Sequence, residues 1–328
     1  MMKRTVLLLI SALWLAVGAA AQDHYPSRPI KVLVPYAPGG AVDIVARIVT
    51  EEMRQRLGQP FIIENKPGAY GIIALEAMAR SAPDGYTLML GNVTTNTITP
   101  ILYRDKLRIS YERDVVPVLR LVDIPEFLLV ATKNFSPKTV PEFIDYAKQS
   151  PGKVNYGSVG VGSYPDYDMA LFAKRAGDLK MQGIPNKAGA SGVLTDMLSG
   201  STQAAFINVA SSAGLVASGQ LRPLALVNRT RLPEYPNVPT MQEVGFDGVG
   251  TLAWQALFAP AGTPKDVLET LRKAMTEAMA SPAVTATFAK QNFNRVPTAS
   301  LDEARTWLAG EMARWTKITD EVKIEMPQ

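Results

Sequence analysis

The chain has 328 residues, with 47% hydrophobic and 20% charged residues and a formal net charge of +4. This length is enough for two domains of ordinary size, and the composition is that of a globular protein, which excludes a disordered chain. The absence of cysteine removes thiolate catalysis and cysteine-ligated metal, and the single histidine, His24, argues against a Ser-His-Asp triad and a histidine zinc site.

The first residues have the layout of a secretory signal peptide. A basic start, Met1–Arg4, precedes an apolar run over Val6–Val17 and the small residues Ala19–Ala21. This pattern predicts export to the periplasm with cleavage after Ala21. A membrane anchor is the alternative, but the apolar run is shorter than the roughly 20 residues that a spanning helix needs.

No dense Lys or Arg run follows, which argues against nucleic acid as the main partner.

Strand and helix signals alternate in the first part of the mature chain. Val45, Val49 and Met53 recur at helical spacing, and Gly58 is a natural helix stop. The pattern predicts, in order, a strand over 30–34, a helix over 43–57, a strand over 61–63, a helix over 71–82 and a strand over 87–90. This βαβαβ order implies a parallel sheet covered by helices.

A second α/β unit follows, and the C-terminal third reads as helical. The capping box Thr139–Glu142 opens a helix, and strands are predicted near 154–156, 180–184, 204–207 and 224–227. Thr263 is predicted to cap a helix that starts at Pro264, and Ser300 opens another capping box.

Two apolar segments, 119–131 and 250–259, are predicted to be crossover strands between the units. Domain 1 is then 22–124 plus 247–328, and domain 2 is 125–246. A ligand is expected between the two domains, where clefts form.

The turn after the first strand carries the first candidate site. Ligands bind at the carboxyl ends of parallel strands, where glycines let backbone N–H groups approach and a helix start suits a carboxylate. This turn has no phosphate-loop lysine and no dinucleotide glycine spacing. A tight turn without a ligand remains an equal alternative. The candidate residues are Tyr36, Ala37, Pro38, Gly39 and Gly40.

Three further turns have similar chemistry. The Gly157–Ser163 turn supplies backbone donors and two hydroxyls, and Asp166 either caps the next helix or contacts a cationic or amide N–H of a ligand. Asn92 and the threonines after it are ligand contacts or local turn and capping groups. Asn208 likewise contacts ligand or satisfies local backbone. The candidates are Asn92, Thr94, Thr95, Ser158, Val159, Gly160, Gly162, Ser163, Asp166 and Asn208.

From about Tyr25 to the C-terminus the chain resembles the Bug family, the extracytoplasmic solute receptors of tripartite tricarboxylate transporter systems. The segments that carry the resemblance are YPSRPIKVLVPYAPGGAVDIVARIV, RLGQPFIIENKPGA, APDGYTLMLG, VNYGSVGVGS, LPEYPNVPTMQEVGF and APAGTP. The resemblance implies an α/β, two-domain periplasmic binding protein of the Venus-flytrap, type II-like class with two crossover strands. It also implies no enzyme activity, no metal and no cofactor.

The resemblance implies that the loop from Ala37 to Asp43 holds a ligand carboxylate through backbone groups and ordered water, with Ser158–Ser163 acting from domain 2. Family ligands are mostly small carboxylates or amino acids, with some aromatic acids and amides. This chain departs from the family pattern, because Tyr70 stands where a glycine is common and Asp166 where a histidine is common. An unpaired Asp166 would repel a dicarboxylate. Together with Tyr70, which is also a candidate ligand contact, this shifts the expectation toward a monocarboxylate, amide or amino-bearing ligand.

The sequence therefore predicts a monomeric periplasmic receptor that closes on a small ligand by hinge motion and delivers it to membrane transporter subunits. One alternative is a ligand sensor that docks on a membrane signalling partner, since both use the same closing receptor. Another is an exported α/β enzyme, for which no histidine base is available beside Ser158 or Ser163.

Overall fold

The computed structural model describes residues 25–186 and 188–325. The predicted signal peptide, its cleavage site at Ala21 and the single histidine His24 lie outside these residues. Within the described part of the chain, no helix combines the length and apolar character needed to cross a membrane.

The strands form two separate sheets. In chain order the strands are β1 Ile30–Val34, β2 Phe61–Asn65, β3 Thr87–Asn92, β4 Val115–Ile124, β5 Glu126–Ala131, β6 Val154–Ser158, β7 Met181–Pro185, β8 Ala204–Asn208, β9 Leu221–Val227, β10 Ala253–Pro260 and β11 Asn294–Arg295. The first sheet has the order β11-β4-β10-β3-β1-β2, and the second has the order β7-β6-β8-β5-β9.

Each sheet combines parallel βαβ pairing with antiparallel crossing strands. Strand β1 pairs parallel to β2 and β3, and β6 pairs parallel to β7 and β8, as the alternating sequence pattern predicts. Strand β10 is antiparallel to β3 and β4, while β5 is antiparallel to β8 and β9. The carboxyl ends of β1 and β3 therefore share one edge of the first sheet, and those of β6 and β8 share one edge of the second.

Helices cover the sheets. They are α1 Ala41–Leu57, α2 Ile72–Ala79, α3 Thr99–Leu102, α4 Tyr111–Asp114, α5 Val140–Gln149, α6 Tyr164–Arg175, α7 Ala190–Ser199, α8 Val209–Ala217, α9 Lys265–Met279, α10 Pro282–Lys290 and α11 Leu301–Glu321. Helix α1 buries Val45, Val49 and Met53 completely, because they lie on the face that packs on the first sheet. It ends at Gly58, whose φ of 67° is left-handed, as predicted.

Two of the predicted helix caps are confirmed and one is wrong. The side chains of Thr139 and Ser300 each accept a hydrogen bond from the backbone N–H three residues later. Thr263 does not cap α9, because its hydroxyl donates to the carbonyl of Pro260 at 2.8 Å. The helix starts at Lys265, one residue later than predicted, with Pro264 before it.

The chain passes between the sheets twice. Strand β4 ends at Ile124 in the first sheet and β5 begins at Glu126 in the second, so Pro125 alone separates them. The predicted single crossover strand is therefore two strands, consistent with proline having no N–H for a sheet ladder. The chain returns after Val227, and β10 lies wholly in the first sheet. The domain limits at 124 and 247 remain a prediction.

A continuous hydrophobic core connects the two units. One buried cluster contains Leu75 and Met89 from the first unit together with Leu128 and Phe172 from the second. Helix α11 packs on β4 and also reaches α6, where the rings of Trp315 and Tyr167 meet edge to face at 5.9 Å. The helices α6 and α11 therefore form a direct contact between the units.

Ser300→Ala should lower the free energy of unfolding by about 1 kcal/mol, because the first turn of α11 loses its side-chain cap. Chemical denaturation of the mature protein measures the change. Ser110→Ala is the matched control, since Ser110 also precedes a helix but its side chain caps nothing. Equal losses in the two variants would contradict the capping role of Ser300.

Candidate functional site

The loop after β1 presents an open helix start. Residues 37–40 are exposed while β1 before them is largely buried, and Gly39 has a left-handed φ of 88°. Helix α1 follows directly, and its N-cap, Gly40, offers no side-chain hydrogen bond. The first N–H groups of a helix have no intrahelical acceptor and carry a partial positive charge. This loop can therefore receive an anion through its main chain.

Asp43 shapes this loop from beneath. Its Oδ2 accepts hydrogen bonds from the N–H of Gly39 at 2.9 Å and from Arg47 Nε at 2.8 Å, and its Oδ1 accepts from Arg47 Nη2 and Asn65 Nδ2, each at 2.9 Å. Burial by itself would raise the pKa of the Asp43 carboxyl, but these hydrogen bonds outweigh it and lower the pKa to about 2. Asp43 is 2% exposed, so its role here is to hold the loop and its charge is already paired.

The loop after β6 repeats the arrangement. Asp166 Oδ2 accepts from the N–H of Gly162 at 2.8 Å, and its Oδ1 accepts from the Tyr156 hydroxyl at 3.1 Å. In both loops an aspartate in the first turn of the helix therefore holds a glycine N–H four residues earlier. Burial raises the pKa of Asp166, and the hydrogen bonds only partly offset it. Asp166 thus makes local hydrogen bonds, and its contact with a ligand stays a prediction.

The two predicted hydroxyls of this loop also make local contacts. Ser158 Oγ and Ser163 Oγ donate to the carbonyl of Gly160 at 3.3 and 2.7 Å. Gly160 and Gly162 have left-handed φ values of 139° and 73°, which glycine adopts readily. Val159 is half-buried beside them. The Ser163 side chain does not cap α6, so this helix start is also uncapped by its N-cap residue.

The turn after β3 is tied to the first loop. The Tyr36 hydroxyl donates to Asn92 Oδ1 at 2.9 Å, and the N–H of Thr95 donates to the same oxygen at 3.2 Å. Burial raises the pKa of Tyr36 to about 12, with the hydrogen bonds to Asn92 and Thr94 acting against it. The phenol is thus a neutral donor at physiological pH. Thr95 is fully buried and serves the turn.

Asn208 and Tyr70 take other positions. Asn208 Oδ1 accepts from the N–H of Ser211 at 2.8 Å and so caps α8. Tyr70 stacks on Tyr103 with ring centroids 5.3 Å apart, and its backbone carbonyl accepts from Thr99 at 2.8 Å. The structure places the Tyr70 ring against Tyr103, with 36% of the residue exposed.

Loops of the two units meet at Tyr164, the first residue of α6. Its backbone N–H donates to Thr94 Oγ1 of the first unit at 3.4 Å. Its ring packs against the hydrophobic cluster of the first unit, which Tyr36 also contacts. The turns after β1 and β3 therefore face the turn after β6, as the sequence predicts for the carboxyl ends of these strands.

Sequence reasoning missed three residues of this arrangement. Tyr164 joins the two units, Asn65 holds both Asp43 and the carbonyl of Tyr36, and the buried Glu126 accepts from the Tyr164 hydroxyl at 2.6 Å. One signal was available for Glu126, because it is one of only three charged residues, with Arg120 and Asp123, in the mainly apolar predicted crossover segment 119–131. Nothing local marks the partners of Asn65 and Tyr164.

A cavity of about 320 Å³ lies at the crossings of the chain, away from these loops. It is lined by Arg120, Trp254, Glu311 and Arg314 of the first unit and by the segment after β9. None of the predicted site residues lines it. Over residues 25–186 and 188–325, no cluster of three or more histidine or acidic side chains is placed to hold a metal ion.

The sequence profile of the tripartite tricarboxylate transporter family receptors matches residues 45–324. The protein BugT of Bordetella pertussis is 32% identical over 324 residues, and the alignment covers 98% of both chains. A UPF0065 protein of Cupriavidus necator is 33% identical over 287 residues, with 86% of this chain and 85% of the relative covered. The chain belongs to the family of tripartite tricarboxylate transporter receptors, which confirms the family resemblance seen in the sequence.

Solved structures agree over nearly the whole chain. The periplasmic binding protein BugD has a TM-score of 0.80 at 27% identity, covering 92% of this chain and 99% of its own. An R. palustris protein solved with adipate has a TM-score of 0.82 at 28% identity, with 92% and 99% covered. MatC from Rhodopseudomonas palustris, solved with malate, has a TM-score of 0.79 at 30% identity, and the match covers 90% of this chain and 99% of MatC. The predicted fold class is therefore confirmed.

Asp43→Asn should lower the free energy of unfolding at neutral pH by about 1–3 kcal/mol, because a buried group loses charge-assisted hydrogen bonds. The pKa of Asp43 falls from 3.8 to about 2 on folding, so its contribution is present above pH 4 and is lost as the pH falls toward 2. Urea unfolding at pH 7 and pH 3 measures this. The difference in unfolding free energy between the variant and wild type should be smaller at pH 3 than at pH 7.

Asp302→Asn is the matched control, because the Asp302 side chain is 88% exposed and pairs only at the surface. Its effect should stay within about 0.5 kcal/mol at both pH values. A difference in unfolding free energy between Asp43→Asn and wild type that is as small as this would show that the carboxylate does not hold the loop. A difference that does not change with pH would show the same.

Proposed function

We propose that this protein is a periplasmic solute-binding receptor that captures a small carboxylate in the cleft between its two α/β units. The observation that carries the proposal is the pair of facing loops, each with a glycine-rich turn, an uncapped helix start and an aspartate bonded back onto a glycine N–H. Such helix starts favour anions, and the loops contain no lysine or arginine. Recognition would therefore use main-chain N–H groups, above all those at the start of α1, since the Tyr36 hydroxyl already donates to Asn92.

The ligand class includes dicarboxylates. The expectation of a monocarboxylate, amide or amino-bearing ligand rested on an unpaired Asp166 together with the bulky Tyr70, whose ring stacks on Tyr103. Asp166 is 4% exposed, and its two oxygens accept from Gly162 and Tyr156. Its carboxyl is therefore turned onto its own loop and gives no reason to exclude a second carboxylate on the ligand. Two similar receptors, solved with adipate and malate, support this class.

Binding would close the cleft by hinge motion at the two crossings of the chain, and the closed receptor would deliver its ligand to membrane subunits of a tripartite transporter. The contact from Tyr164 to Thr94 links the facing loops directly. A ligand that contacts both loops prefers the closed arrangement, and that differential affinity drives closure. The family supports transporter delivery, and no catalytic step is assigned to the protein.

A thermal-shift screen of the ligand-free mature protein tests the function. The panel is malate, adipate, citrate, glutamate, benzoate and the matching amides. A ligand at a hundred times its dissociation constant should add about 2.7 kcal/mol of stability and raise the melting temperature. Mass spectrometry of the denatured protein checks beforehand that no ligand was carried through purification. No shift from any acid in protein shown to be empty would contradict the proposal.

Gly40→Val should abolish the shift and leave the fold intact. Gly40 has φ of −78°, which valine tolerates, and an added Cβ would meet only the carbonyl of Ala37 at 3.9 Å. The side chain would then cover the open start of α1. Gly310→Val is the matched control, because an added Cβ there meets nothing within 4 Å and lies on α11, outside the cleft. Retained binding in Gly40→Val would show that the ligand does not use this helix start.

A further inference from the structure

Two buried carboxyl groups tie α6 to both crossings of the chain. Glu126 begins β5 directly after the first crossing, is 1% exposed, and accepts the Tyr164 hydroxyl at 2.6 Å. Asp168 is also 1% exposed and accepts the hydroxyl of Thr251, in the return crossing, at 2.8 Å. Tyr164 and Asp168 are four residues apart and so share one face of α6. The helix that starts at the second loop therefore rests on both hinge segments.

Each carboxyl keeps one buried oxygen without a partner. Glu126 Oε2 and Asp168 Oδ2 accept no hydrogen bond from the described chain. A buried ionised carboxylate needs such partners, whereas a neutral carboxyl is less costly to bury. The arrangement therefore suits protonated side chains better than charged ones.

Several ionisable groups from different elements act on this pair. Burial raises the pKa of Glu126 well above its usual range, and the charge of Asp168 raises it further. Burial raises the pKa of Asp168 to about 7, with Arg314 and Thr251 acting against it. Arg314 lies on α11 of the first unit and donates to the carbonyl of Gly250 at 3.1 Å. The groups that influence the pair are Tyr164 of α6, Arg314 of α11 and, through Tyr164, Tyr36 of the first loop.

We propose that Glu126 and Asp168 form a proton-dependent latch at the hinge, in which a proton on Asp168 holds α6 against the two crossings and its loss favours an arrangement that hydrates the carboxyls. The latch rests on the proposed function, because the motion it controls is the closing of the ligand cleft. Burial raises the pKa of both carboxyls, and that of Asp168 is raised to about 7, close to neutral pH.

The sign follows from linkage. A carboxyl that binds its proton more tightly in the closed arrangement than in water stabilises that arrangement at low pH and loses this effect as the pH rises through its folded value. Opening is therefore expected on the alkaline side. Gly250 and Arg314 also line the cavity at the crossings, so this cavity lies beside Thr251, which binds Asp168, and beside the cation that acts on Asp168.

The test uses the ligand-free mature protein between pH 5 and pH 9. Trp254, Trp307 and Trp315 lie in β10 and α11, and Trp315 contacts Tyr167 of α6, so tryptophan emission reports on this hinge. Small-angle scattering measures the radius of gyration in parallel. Wild type should show one sigmoidal transition in both signals within this range, with a larger radius at high pH. A flat profile overturns the latch.

Four variants separate the latch from a structural effect. Asp168→Asn should remove the transition, and Glu126→Gln should keep it, because the amide reproduces a neutral carboxyl. Arg314→Gln should raise the midpoint by about one pH unit or more, since it removes the cation that favours the ionised Asp168. Thr251→Val should also raise it, and this variant keeps the titrating carboxyl if Asp168→Asn fails to fold. A transition that survives in Asp168→Asn overturns the latch. Midpoints that do not move in Arg314→Gln and Thr251→Val also overturn it.

Asp302→Asn is the control and should leave the profile unchanged, because this carboxyl is exposed. The experiment contains no ligand, so its outcome is separate from the thermal-shift screen. A pH transition in a protein that binds no acid would contradict the proposed function and support the latch. Ligand binding with a flat pH profile would support the proposed function and contradict the latch.

Discussion

A hydrogen bond from a glycine N–H to a buried aspartate four residues later shapes both loops that face the cleft. Asp43 holds Gly39 at 2.9 Å, and Asp166 holds Gly162 at 2.8 Å. In each case the hydrogen bond holds a tight turn just before the helix starts. The acidic side chain is thereby paired within its own loop. At the start of α1 the first helix N–H groups have no intrahelical acceptor, and a loop without a cation can receive an anion there. At the start of α6 Pro165 has no N–H, and the N–H groups of Tyr164 and Asp166 donate to Thr94 and Ser163. The rest of the structure brings these two loops to face each other.

The chain crosses between the two sheets at Pro125 and again between β9 and β10. Helix α6 connects these crossings with the loop after β6. Its first turn contains Asp166 and Tyr164, and Asp168 binds the return crossing. In the proposed function, a change at the second loop would reach the crossings through a single helix turn, so binding and closure would share the same contacts.

Local patterns predicted much of the fold and part of the site. The strand and helix order, the caps at Thr139 and Ser300 and the carboxyl-end loops all depend on residues close in sequence. The assignment of roles inside the loops was less complete. Asp166, Asn92 and Asn208 each had a local and a ligand-facing alternative, and each makes local hydrogen bonds here. Short polar side chains at helix starts favour such local partners, and sequence spacing alone does not show which partner they take.

The sequence by itself determined the α/β class, the family and the position of the glycine-rich turns, because these follow from periodicity, capping and motifs that occupy a few neighbouring residues. The tertiary structure alone decided that Tyr164 meets Thr94, that Glu126 accepts from Tyr164, and that Asp168 accepts from Thr251, 83 residues further along the chain. These contacts form only when two sheets, a helix and both crossings pack together. The charge state of a buried carboxyl depends on that packing, since burial and distant partners set the cost of ionising it.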